Sequence, residues 1–148
     1  MQEEVKPRVN VLVNVYDAKS GTLISTQQTH NLVVDSGLNL LRDAIQSGVI
    51  SPVTRIGFGA SNTPVGPTNT SLFDEIVRTN LSTTIPSNKA LTCQYFLDDA
   101  TANGQTLREV GLFTSDGTLY ARVLLTTPIP KTDLVVATFS WTLDWGSV

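Results

Sequence analysis

From Val135 to Trp145 the chain reads VVATFSWTLDW, which sets Val135, Ala137, Phe139, Trp141, Leu143 and Trp145 at every second position. A period of two sends side chains to alternate faces of an extended backbone, and a helix cannot satisfy it. The opposite face begins apolar at Leu134 and Val136 and then turns to Thr138, Ser140 and Thr142. An apolar face of that length marks a main core strand. Near the start, Val9, Val11, Val13 and Val15 repeat the pattern against Asn10, Leu12 and Asn14. Two long half-buried strands at opposite ends of a chain need a shared core, so the fold is expected to be mainly β.

Further strands follow from the same period and from turn residues. The segment TLISTQQTHNLVV returns after the turn Asp17 to Gly21 as the second arm of a hairpin. RIGFG is a short strand, and KALTCQYFLD alternates through Leu91, Cys93, Tyr95 and Leu97. TLREVGLF and TLYARVLL flank Asp116-Gly117, a tight-turn pair, and Asn103-Gly104 marks another turn. TPIPK breaks the pattern before the last strand. One helix is expected in DSGLNLLRDAIQSG, with Asp35 or Ser36 as N-cap, a stripe of Leu38, Leu40, Leu41, Ala44 and Ile45, and Gly48 beyond its end. TSLFDEIV reads as one or two further helical turns, since Thr70 or Ser71 stands at capping distance from Asp74 or Glu75. The expectation is an antiparallel, jelly-roll-like β-sandwich of about seven or eight strands with one α-helix across an end or edge. Residues 1–8 read as an N-terminal arm, and 9–148 as a single sandwich domain, with Pro7 marking where sheet pairing begins.

At 148 residues one domain is expected. Charged residues are only 16% of the chain and the net charge is −3, with no cluster of Lys or Arg, which argues against direct nucleic-acid binding. MQEEVKP lacks the apolar region of a signal peptide, and no apolar run reaches the length of a membrane span. The single cysteine, Cys93, forms no internal disulfide.

The residues for chemistry are few. RIGFGASNTPVGPTNTSL, Arg55 to Leu72, offers two glycines but no lysine at P-loop spacing, and Asn62 stands where a dinucleotide fingerprint needs a third glycine. The simpler reading is close backbone approach or a bulge at Gly57 and Gly59, followed by a surface loop stiffened by Pro64 and Pro67. His30 and Cys93 are the only residues of their kinds, so no zinc set is available. Asp98, Asp99 and Asn103 lack the calcium-loop spacing and read as a solvated acidic turn. No catalytic residue and no cofactor are expected. Glu109 is anomalous beside a strand core, and it has Arg108 or Arg122 as ion-pair candidates across the hairpin, or a role in sealing an interface. Trp141 reads as core, whereas Trp145 is placed to reach a surface or partner.

The order of HNLVVDSGLNLLRDAI, RIGFGASNTPVGPTNTSL, LREVGLF, GTLYARVLL and a threonine-rich last strand ending in Trp resembles small tailed-bacteriophage virion proteins, over roughly Arg8 to Trp145. The resemblance implies a non-enzymatic virion component made in the host cytoplasm. It is either a head decoration (cement) protein or a tail-fibre or baseplate accessory piece. The implied partners are the major capsid protein or other virion proteins, and copies of the chain itself as a trimer. No catalytic residue carries over. Low charge, an arm and a proline-stiffened loop suit a module that caps a capsid lattice, with Val5, Lys6, Pro7, Asn62, Pro64, Val65, Pro67 and Trp145 as interface residues. The alternative is an adaptor that binds a host glycan or larger fibre through Trp145 and the DDATANGQ loop.

Overall fold

The computed structural model describes residues 8–146, and only the backbone of Asn31 and Leu32. The interface candidates Val5, Lys6 and Pro7 therefore lie outside the described residues. Among the described residues, nine strands and one helix run in the order β1 (Arg8–Asp17), β2 (Leu23–Val33), α1 (Asp35–Ser47), β3 (Val53–Gly59), β4 (Glu75–Asn80), β5 (Thr83–Ser87), β6 (Ala90–Leu97), β7 (Thr106–Thr114), β8 (Leu119–Pro130) and β9 (Val135–Asp144). The fold is mainly β and sandwich-like, with antiparallel sheets and one helix.

All pairing is antiparallel, in the order β4-β3-β7-β8-β2-β1-β9-β6-β5. β2 changes partner along its length. It pairs with β1 from Leu23 to Asn31, and with β8 only at Leu32 and Val33. Where β2 and β8 diverge, side chains bridge the gap: Thr29 Oγ1 donates to the Leu124 carbonyl, and the Gln27 amide exchanges hydrogen bonds with the Thr127 backbone. The divergence lets one sheet (β2-β1-β9-β6-β5) fold over the other (β4-β3-β7-β8).

The alternating residues meet between the sheets. Val9, Val11, Val13 and Val15 of β1 and Ala137, Phe139, Trp141 and Leu143 of β9 are buried. Across from them stand Ile56 and Phe58 of β3 and Val110 and Leu112 of β7. The Phe58 ring meets Phe139 edge-on at 4.8 Å and Tyr95 at 5.6 Å.

Several expectations are corrected. The helix is where its pattern placed it, and Gly48 closes it at φ 69°. Its N-cap, however, is Val34, and no side chain caps it. The Asp35 amide donates instead to the Pro67 carbonyl, and the Ser36 hydroxyl to the Leu119 carbonyl, so tertiary partners replace the local cap. Ile45 is 88% exposed, because only the first turns of α1 rest on the sandwich. TSLFDEIV forms no helical turn: residues 71–74 are irregular and β4 begins at Glu75. TPIPK does not end a strand before it, since β8 runs through to Pro130, opposite Thr106. β5, fully exposed, is an added edge strand.

Candidate functional site

β7 is a central strand with both faces covered. A register shift between Leu107 and Glu109 turns the Glu109 side chain to the outer face of its sheet, away from the sandwich core. There Glu109 and Arg122 of β8 are both fully buried, with Arg122 Nε 2.9 Å from Glu109 Oε1. Of the two partners open to Glu109 in the sequence, Arg122 is the one that meets it. A buried pair survives only when its remaining lone pairs and protons are satisfied. Here the stretch from Ala60 to Asp74 satisfies them.

Glu109 accepts from the backbone amides of Phe73 (3.0 Å), Asp74 (2.8 Å) and Ser61 (3.3 Å). Arg122 donates to the carbonyls of Thr63 (2.8 Å) and Pro64 (3.4 Å) and to Asn69 Oδ1 (3.3 Å). The Phe73 ring lies 4.6 Å from the guanidinium carbon. The carboxylate therefore binds both ends of the loop and the guanidinium binds its middle.

The glycines complete the seat. Gly57 and Gly111 face each other across β3 and β7, and a Cβ on either would press on the Phe113 ring and Leu72. Their missing side chains leave the depression that Leu72 fills, in a small cluster with Val34, Phe113 and Leu119. A Cβ on Gly59 would collide with the Glu109 carboxylate and the Asp74 carbonyl. Close approach is thus the reason for both glycines of RIGFG, and a register shift at Phe58/Gly59 accompanies it. The stretch that resembles a phosphate loop binds a carboxylate of its own chain.

The loop presents Asn62, Pro64 and Pro67 to solvent, with Val65 half-buried. The Pro67 carbonyl joins the loop to the start of α1 through the Asp35 amide at 2.8 Å. Trp145, half-buried, lines a separate groove of about 230 Å³ at the end of the sandwich with Leu40, Leu41, Ile50 and Leu143. Trp145 and the loop thus flank α1 without sharing a cavity. Beside the groove, Ile45, Val49 and Ile50 are exposed at 88%, 56% and 79%. Sequence reasoning used Ile45 as a core position and passed over Val49 and Ile50.

The remaining candidates take structural places. His30 is exposed on β2, opposite Asn10. Cys93 is buried, and desolvation pushes its thiol up to about 11. Trp141 is fully buried, its indole nitrogen without a hydrogen-bond partner among the described residues. In the acidic turn, Asp98 Oδ1 accepts from the Ala100 amide and the Thr101 hydroxyl. Asn103 Oδ1 receives the buried Lys131 ammonium at 2.8 Å, and the Thr132 carbonyl takes it at the same distance. Burial lowers the Lys131 pKa, while Asp98, Asp99 and Asp133 oppose that shift. A protein ammonium stands where a cation was considered. Among the described residues no group of three or more His, Cys, Asp or Glu is placed to hold a metal, and no helix is long and apolar enough to cross a membrane.

No family model, no curated protein and no solved structure matches the chain.

Proposed function

We propose that the chain is a bacteriophage virion structural protein, a capsid decoration (cement) protein that binds the outside of the head lattice and stabilises it. It acts by contact and not by turnover. The observation that carries this reading is the use of a fully buried ion pair, Glu109–Arg122, to hold the backbone of the loop that exposes Asn62, Pro64 and Pro67. A loop ordered before contact loses little conformational entropy on binding, which matters most for a small module that relies on many modest contacts. The order of sequence motifs supports the virion class, and the exposed Ile45, Val49 and Ile50 offer a second apolar contact area. The partners in this reading are the major capsid protein and further copies of the chain, as a trimer.

The test is the composition of purified particles separated into heads and tails. Hundreds of copies on heads are expected. A handful of copies on tails would favour the alternative, a tail-fibre or baseplate adaptor, and absence from particles would overturn the virion reading.

A further inference from the structure

Apart from Arg8 and Asp144, which lie opposite each other at one end, the outward face of the sheet β2-β1-β9-β6-β5 carries almost no charge. Asn10, Leu12 and Asn14 of β1 lie beside Thr142, Ser140 and Thr138 of β9, and these lie beside Thr92, Gln94 and Phe96 of β6. On the far side of β1 stand His30, Gln28 and Thr26. None of these is Asp, Glu, Lys or Arg, in a chain with 10 basic and 13 acidic residues. Solubility is normally secured with charge, so a broad face built from hydroxyls and amides calls for another reason.

A groove of about 370 Å³ opens on this face, with Thr138 and Ser140 of β9 as its floor. Leu12, 37% exposed, stands on one side, and Phe96, 51% exposed, on the other. β1 and β6 flank β9, so two strand spacings and one two-residue step separate these walls, roughly 10–12 Å, which admits a sugar ring. Around the groove the polar side chains pair with each other: Gln28 with Asn10 at 2.9 Å, Thr26 with Asn14 at 2.8 Å, and Thr92 with Thr142 at 3.2 Å. The side chains of Gln94, Thr138 and Ser140, in the groove itself, have no protein partner among the described residues.

We propose that this groove binds a neutral, unsulfated saccharide. Hydroxyls and an amide on the floor both donate and accept, which suits a ligand whose own hydroxyls do both. The Phe96 ring and Leu12 offer apolar walls for the C–H face of a pyranose. An anionic ligand such as a nucleic acid, a phosphate or a sialylated glycan has no cation in the lining to answer it. The site is separate from the loop held by Glu109 and from Trp145, and the inference does not rest on the virion reading.

The experiment is an NMR titration of the whole chain with neutral oligosaccharides of glucose, galactose, mannose and N-acetylglucosamine, and with sialylated and uronate-containing ones. Neutral sugars are expected to move the amide signals of Gln94, Phe96, Thr138 and Ser140. Phe96→Ala and, independently, Ser140→Ala should weaken binding at least about tenfold, while Lys19→Ala, in the exposed β1–β2 turn, leaves it unchanged. Gln94→Ala replaces either variant if that variant fails to fold. The proposal fails if no neutral sugar moves these signals at millimolar concentration, if acidic sugars bind better, or if the shifts centre on Trp145. It also fails if light scattering shows a dimer that Phe96→Arg dissolves, because the face would then be covered by a second copy.

Discussion

Glu109 is one acidic side chain among many, yet it meets three loop amides and Arg122. Replacing it with Gln leaves the Arg122 charge buried without its counter-ion, and the expected loss is about 3–5 kcal/mol, read as a lower denaturant midpoint. A buried ion pair can often be exchanged for apolar residues without loss. Here the double change Glu109→Gln with Arg122→Met is expected not to recover wild-type stability, since the Phe73 and Asp74 amides and the Thr63 carbonyl still lose charged partners. Gly59→Ala attacks the same place sterically, and should cost about 1–3 kcal/mol by the same assay. In the sequence, Glu109 was visible as an anomaly and Arg122 as one of two candidates. That Glu109 would anchor a loop 35 to 48 residues away was not visible, because no local pattern records which backbone amides a distant carboxylate takes.

At the scale of elements, legibility followed one-sided burial. β1 and β9 each bury every second residue, so their period announced them. β5 is exposed at all five positions and buries nothing, so it left no period to read. The helical turn read in TSLFDEIV fails because Glu109 holds the amides of Phe73 and Asp74, which such a turn would need free for a cap. β8 runs on through Pro128 and Pro130 because, past its pairing with Leu32 and Val33, it forms no ladder with β2 there, and an edge tolerates proline. In α1, Leu38 and Leu41 rest on the core while Ile45 projects past it. Ile45→Ser should therefore change stability by less than about 0.5 kcal/mol. Gly48→Ala forces a side chain into a left-handed position at φ 69° and should cost about 1 kcal/mol, both measured by chemical denaturation.

For the whole molecule, buried titratable groups set how stability varies with pH. Burial raises Cys93 from 9.0 to about 11 and Tyr120 from 10.0 to about 12. Each folded-state value lies above the unfolded one, so the stabilisation is whole below pH 9 and is lost as pH climbs through 11 and 12. Lys131 acts in the opposite sense: its lowered value makes the folded state gain as pH approaches 10.5. The net expectation is a denaturant midpoint that falls above pH 9, and Cys93→Ala should flatten the lower part of that fall. The same sandwich that shelters these groups is the rigid frame on which the loop from Ala60 to Asp74 is fixed. Amide hydrogen exchange on the wild type and on Glu109→Gln tests that fixation most directly. The amides of Phe73 and Asp74 are expected to exchange slowly in the wild type and quickly in the variant, with β1 and β9 protected in both. Wild-type Phe73 and Asp74 amides exchanging at the rate of an unprotected loop would contradict it.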